Sequence, residues 1–160
     1  MALELISTLT ATGSSTTFTW TSLNTFGYKH LMLIGQGGFG AGAAVGIKVN
    51  NDSTTNAYRQ IFFDGSVGQG TDSRGFYDTQ FMLVGYKVGI TGPTPFEAYF
   101  LEIDGSKHKN YHWNSGNPNG NVEIQYGGGV WANTAAINRI DVVSNVNWLS
   151  GSTVSLYGIK

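Results

Sequence analysis

The residues able to do chemistry lie in a few short clusters, and a glycine run is the most conspicuous. Gly35-Gln36-Gly37-Gly38-Phe39-Gly40 satisfies G-x-G-x-x-G directly after a predicted strand. In a dinucleotide-binding fold such glycines make a tight turn and bring pyrophosphate to a helix N-terminus. The continuation, Ala41-Gly42-Ala43-Ala44-Val45-Gly46, is too short and too glycine-rich for that helix. Val45-Gly46-Ile47-Lys48 imitates the lysine strand of a kinase, but no catalytic-loop or D-F-G sequence accompanies it. The run reads as a glycine loop between two strands.

His108 and His112 have a chelating spacing only on a helix. Their setting, Lys107 to Trp113, reads as a loop entering a strand, where four residues span ~13 Å. Asp104 would complete a metal site only if the loop folded back. Among the carboxylates, Glu97 and Glu102 face opposite sides of a strand, whereas Glu102 and Asp104 share a face. A glycosidase needs such a pair across a cleft, but at a strand end it is ordinarily solvated surface. There is no G-x-S-x-G elbow and no cysteine. The expectation is a protein that is not an enzyme and carries no catalytic residue, cofactor or metal.

The aromatic residues point elsewhere. Trp20, Trp113, Trp131 and Trp148 stand with 8 Tyr and 9 Phe. Exposed rings beside Asn and Thr suit sugar stacking, and the same rings are favoured at protein interfaces. Tyr111, His112 and Trp113 are consecutive and cannot all enter one core. With Phe39 in the glycine run, they form the candidate set of partner or glycan contacts. A protein partner is favoured, since few charges and many aromatics describe an interface-heavy surface.

The elements that must carry these residues have period 2 nearly throughout, the mark of strands. Thr17-Phe18-Thr19-Trp20-Thr21 and Val45-Gly46-Ile47-Lys48-Val49 each give a core face and a wet face. Val122-Glu123-Ile124-Gln125-Tyr126 and Arg139-Ile140-Asp141-Val142 repeat the scheme. Leu31 to Ile34 and Tyr99 to Ile103 are apolar on both faces, which predicts central strands covered by a second sheet and by a neighbouring subunit. Turns are signalled at Asn50-Asn51-Asp52, Asp64-Gly65, Asp104-Gly105, Asn117-Pro118-Asn119-Gly120 and Ser150-Gly151-Ser152. Ser66 to Gln80 reads as one extended exposed loop, and Trp131 to Asn138 is the best, though brief, helix candidate. About eleven strands at this spacing predict an all-β protein, an antiparallel, jelly-roll-like β-sandwich forming a single domain over residues 1–160.

Composition sets outer bounds. Charged residues are 12% of the 160, half the ~25% usual in soluble proteins. A net charge of -1 gives no basis for binding a nucleic acid backbone. With 0 Cys, no disulfide framework exists. The N-terminal residues lack a basic region and a signal-like apolar core, and no run approaches ~20 apolar residues. These features predict a product made in the cytoplasm, with no membrane partner; the Asn51-Asp52-Ser53 sequon then carries no weight.

Two stretches resemble a known module. One is Phe26-Gly27-Tyr28-Lys29-His30-Leu31-Met32-Leu33-Ile34-Gly35, followed by Ile47-Lys48-Val49-Asn50-Asn51-Asp52 and Asn56-Ala57-Tyr58. The other is Gly129-Val130-Trp131-Ala132-Asn133-Thr134-Ala135-Ala136-Ile137-Asn138-Arg139-Ile140, leading to the terminal Ser155-Leu156-Tyr157-Gly158-Ile159. Together with Phe100-Leu101-Glu102-Ile103 and the turn at Lys107 to Asn110, they resemble a β-sandwich module of tailed-bacteriophage virion proteins. Such modules occur in capsid decoration (cement) proteins and in tail-fibre proteins. The resemblance implies no catalytic residues. It implies a place on the capsid surface of a virion, the major capsid protein as partner and a homotrimer, because the chain shows no shaft or attachment segment. On the capsid, Gly35 to Gly46 is expected to be an arm that touches the lattice; a tail-fibre, receptor-binding or carbohydrate-binding role is the alternative.

Overall fold

A computed structural model describes residues 2–39, 43–54, 56–66, 70–79, 82–88, 94–117 and 123–160. Residues 64, 66, 70–79, 82–88, 94, 117 and 123 are described by their backbone alone. Among the described residues there are twelve strands: β1 (Leu3–Thr10), β2 (Thr17–Trp20), β3 (His30–Gly37), β4 (Ala43–Val49), β5 (Tyr58–Ser66) and β6 (Gly70–Thr79). They continue with β7 (Met82–Val88), β8 (Thr94–Phe100), β9 (Lys109–Asn117), β10 (Glu123–Trp131), β11 (Ile140–Ser144) and β12 (Thr153–Ile159). All pairings are antiparallel.

An 8-stranded sheet has the order β1-β12-β3-β8-β9-β10-β5-β6, and a 4-stranded sheet has the order β2-β11-β4-β7. Removing the hairpin partners β5, β6, β9 and β10 leaves β1-β12-β3-β8 facing β2-β11-β4-β7. That is the interleaved strand order of a jelly roll, in which successive strands alternate between sheets except for the middle pair, here β4 and β7. The predicted fold is therefore present, with β5–β6 and β9–β10 both added to the same sheet.

The strand beyond the expected eleven is β6. Residues 66–80 were expected to form a loop, but Gly70–Thr79 pairs with β5 along its length. The Asp64-Gly65 turn signal falls inside β5, opposite Asp72 and Thr71. The strand was illegible because β6 is the sheet edge, where polar and charged residues are favoured as protection against further pairing. The brief helix candidate over Trp131 to Asn138 does not form a helix, in keeping with the all-β expectation. Trp131 ends β10, and Ala132–Arg139 is irregular. Asn50 satisfies its backbone instead, donating to Ala136 O and accepting from the N–H groups of Asn138 and Arg139. Asn50 and Asn51 take φ of 52° and 54°, the left-handed pair that a tight turn after β4 demands.

The core lies between the sheets around Trp148, whose ring centroid is 4.5 Å from Phe39 and 5.1 Å from Phe18. The glycine run serves this core. A Cβ at Gly35 would overlap the Phe96 ring, and one at Gly37 would overlap Trp148. Gly35 to Gly37 belong to β3, Phe39 forms a backbone bridge with Trp148, and Ala43 to Gly46 belong to β4. No dinucleotide helix follows, and the described part of the stretch is sheet rather than a projecting arm. Gly40, Ala41 and Gly42 lie outside the described residues.

Candidate functional site

Strand β9 decides the fate of the candidate contact residues. Tyr111 and Trp113 point inward and are 3% and 2% exposed, while His112 lies on the opposite, open face. Phe39 is 1% exposed, packed on Trp148. As surface contacts, Tyr111, Trp113 and Phe39 are overturned: strand alternation and the demand for core volume place all three inside. Burial pushes the Tyr111 hydroxyl pKa up, and the hydroxyl donates to Gln60 Oε1 at 2.9 Å. Only His112 of the candidate set can meet a partner or glycan.

Strand β10 reverses its expected facing. Ile124 and Tyr126 are 60% and 54% exposed, and Gln125 is buried. Its inward side carries Gln125, Gly127, Gly129 and Trp131. Larger residues do not fit there, since a Cβ at Gly127 would stand 2.8 Å from Phe62 Cβ, and one at Gly129 2.7 Å from the Tyr111 hydroxyl. The inner space is filled by rings from β5 and β9, so the apolar residues of β10 face outward.

This reversal exposes the outer face of the large sheet as the candidate site. The register aligns Leu5, Tyr157, Met32, Tyr99, His112, Gly128 and Ile61 in one row across β1, β12, β3, β8, β9, β10 and β5. All point away from the core. The next outward row holds Ser155, Ile34, Glu97, Asn114, Tyr126 and Phe63. Tyr99 and His112 stack with centroids 4.7 Å apart and planes at 14°, and Phe63 stacks on Tyr126 at 5.0 Å. Asn114 donates to Glu97 beside them. Burial, then the Glu97 charge, push the Tyr99 pKa up. The two-sided apolar character read in Leu31 to Ile34 and Tyr99 to Ile103 has this cause: Leu31, Leu33 and Phe100 enter the core, while Met32, Ile34 and Tyr99 lie on the outer face.

The groups considered for metal binding form no ion site. Among the described residues, no three His, Asp or Glu side chains group closely enough to hold an ion. Lys29 Nζ sits 2.5 Å from Asp104 Oδ2, and its hydrogen bond holds that carboxyl below the usual carboxylate range. A general acid must keep its proton at working pH, so Asp104 does not suit that one role.

Lys109 carried no signal in the sequence. It is fully buried, and Nζ donates to Gly105 O and Lys107 O at 2.5 Å each and to Thr134 O at 3.5 Å. Burial lowers its pKa, against the pull of Asp104 and Glu102. The ammonium ties the β8–β9 connection to the irregular segment before β11.

No protein-family model matches the chain, and no curated protein is similar to it. Among solved structures, a protein of unknown function from Shewanella oneidensis MR-1 is similar over 98% of this chain and 75% of its own, at 10% identity and a TM-score of 0.33. The CBM2 module of the evolved Dit of Lactobacillus casei BL23 phage J-1 is similar over 90% of this chain and 69% of its own, at 7% identity and a TM-score of 0.19.

Proposed function

We propose that this chain is a non-enzymatic structural protein of a bacteriophage virion that docks through the outer face of its large sheet. Its best reading is a capsid decoration (cement) protein on the head, working as a homotrimer against the major capsid protein. One observation carries the docking part: the outward row from Leu5 to Ile61 crosses the sheet without an acidic or strongly basic side chain. At about 4.8 Å per strand the row is roughly 29 Å long, the width of a protein interface rather than of a small-ligand pocket. The sequence resemblance supplies the virion part of the reading.

Docking on this face proceeds by burial of Leu5, Met32, Tyr99, Tyr126 and Ile61, with the hydrogen-bonded Glu97 and Asn114 between Ile34 and Tyr126 setting register. Each copy needs only modest affinity when many copies bind a repeating lattice. A net charge of -1 keeps repulsion between crowded copies small. Quantitative mass spectrometry and electron microscopy of purified particles test the assignment. A copy number on the scale of the capsid subunits, with density on the head, is expected. Absence from the particle, or a handful of copies at the tail tip, overturns it.

A further inference from the structure

A cleft at one end of the outer face has no part in the docking just described. It holds about 210 Å³ and is lined by His30, Leu101, Glu102, His108 and Asn110. His30, Leu101 and Asn110 stand side by side, each two residues along its chain from Met32, Tyr99 and His112 respectively. Glu102 and His108 come from the connection between β8 and β9. We propose that this cleft binds a single neutral sugar residue of a glycan.

Size is the first reason. At ~30 Å³ per water the cleft takes about seven waters, which suits one pyranose ring and falls short of the ~300–1,000 Å³ of drug-sized sites. Hydrogen-bonding chemistry is the second. The Glu102 N–H donates to His30 Nδ1 at 3.1 Å, so the neutral His30 ring carries its proton on Nε2 as a donor. The Glu102 carboxylate accepts, and the Asn110 amide does both. Among the described residues, no hydrogen bond occupies the Glu102 carboxylate, the His108 ring or the Asn110 side chain. Paired donors and acceptors beside the apolar Leu101 fit hydroxyls on a carbon ring. An anion would meet the Glu102 carboxylate, and a metal ion would find no cluster of three ligands.

Backbone strain is the third reason. Glu102 takes φ of 52°, and the other described non-glycine residues at positive φ are Asn50, Asn51, Asn56 and Ser22. Asparagine adopts this conformation readily, but a glutamate does not. The turn closes from Gly105 N–H to Glu102 O, and Ile103 next to it is buried with its N–H on Lys29 O. Glycine or asparagine at 102 would satisfy that geometry without strain. A glutamate at this strained position points to a task for its carboxylate.

The test titrates a panel of methyl hexopyranosides and methyl N-acetylhexosaminides into ¹⁵N-labelled full-length protein, with inorganic phosphate as a separate arm. Saturable amide shifts at His30, Leu101, Glu102, His108 and Asn110 are expected with at least one sugar. Glu102→Gln, which loses a charge-assisted hydrogen bond, should weaken that sugar roughly 10- to 100-fold. Glu102→Gly should abolish the shifts while raising Tm by about 2–4 °C through relief of strain. No saturable shift at these residues with any sugar overturns the proposal, as do shifts surviving Glu102→Gly or shifts from phosphate alone. The measurement uses isolated protein, so its failure leaves the docking reading standing, and the particle census leaves the cleft untouched.

Discussion

Ile61 and Phe62 are neighbours on β5 with opposite facings, and this contrast gives the sharpest test of the docking face. Ile61 is 52% exposed and Phe62 is 1% exposed. In the variant Ile61→Thr/Ile124→Thr/Tyr126→Thr, three outward apolar side chains become polar and β-branched, so strand preference survives. Full burial of such a side chain is worth about 1.5–3 kcal/mol, and roughly half of each is still in water, leaving about 1 kcal/mol per residue for docking. The triple change should then cost about 3 kcal/mol of docking energy, a weakening of roughly 100-fold. Folding should lose much less, because the outer face contributes little to the core. Phe62→Ala is the counterpart, expected to cost about 3–5 kcal/mol of fold stability through loss of a buried ring. Cosedimentation with phage heads prepared without this protein reads docking, and urea unfolding reads stability. Heads that retain the triple variant as well as the parent protein would refute docking through this face. A triple variant that unfolds as readily as Phe62→Ala would refute the assignment of these residues to the outside.

The other expectations concern the core. Burial raises the pKa values of Tyr58 and Tyr111, so above about pH 10 the unfolded chain releases protons that the folded chain keeps. Each tyrosine should then lower stability with a limiting slope of about 1.4 kcal/mol per pH unit, offset in part near pH 10 by Lys109, whose lowered pKa lets the folded chain lose that proton first. Urea unfolding from pH 8 to 11.5 measures the slope; Tyr58→Phe should reduce it, and a flat profile would contradict the burial. Gly35→Ala should lower stability by about 1–3 kcal/mol as its Cβ displaces the Phe96 ring, read as a drop in Tm of several degrees. Lys109→Met leaves the carbonyls of Gly105, Lys107 and Thr134 without their donor, and should cost about 1–3 kcal/mol and speed amide exchange in the β8–β9 connection. Exchange unchanged in that connection would show that the ammonium does not hold it.

Much of the fold was legible where alternation obeyed a single rule. Phe18 and Trp20 on β2, and Val45, Ile47 and Val49 on β4, are buried as their spacing required. Legibility failed where a strand's apolar residues are not its core residues. On β10 the inner positions 127 and 129 must be small because Phe62, Trp113 and Tyr111 already occupy the volume, and no local pattern records a ring arriving from another strand. The same coupling hid the purpose of Gly35 and Gly37, whose partners Phe96 and Trp148 are distant in sequence. For the site, the triplet Tyr111-His112-Trp113 correctly required two faces, yet spacing cannot say which face is inside. The cleft was less legible still, because Glu102 became notable only through its backbone angle and its neighbour His30.

The added hairpins account for both the surplus of aromatics and the open face. A four-on-four jelly roll would bury its inner faces mutually, but β9, β10, β5 and β6 widen one sheet alone. Edge strand β7 of the small sheet packs across β5, β9 and β10. The remaining inner volume is filled by large rings: Tyr58 and Phe62 from β5, Tyr111 and Trp113 from β9, and Trp131 from β10. These aromatics serve packing, so their number does not by itself imply a partner. The argument for a partner rests instead on Ile61, Phe63, Ile124 and Tyr126, which the same widening carries to the outer face. A sheet enlarged only to enclose more core would place polar residues at those positions. Ile61 shares the row of Leu5, Met32 and Tyr99, and Phe63 and Tyr126 share the row of Ile34, so the widened sheet carries an outer surface that gains from being covered.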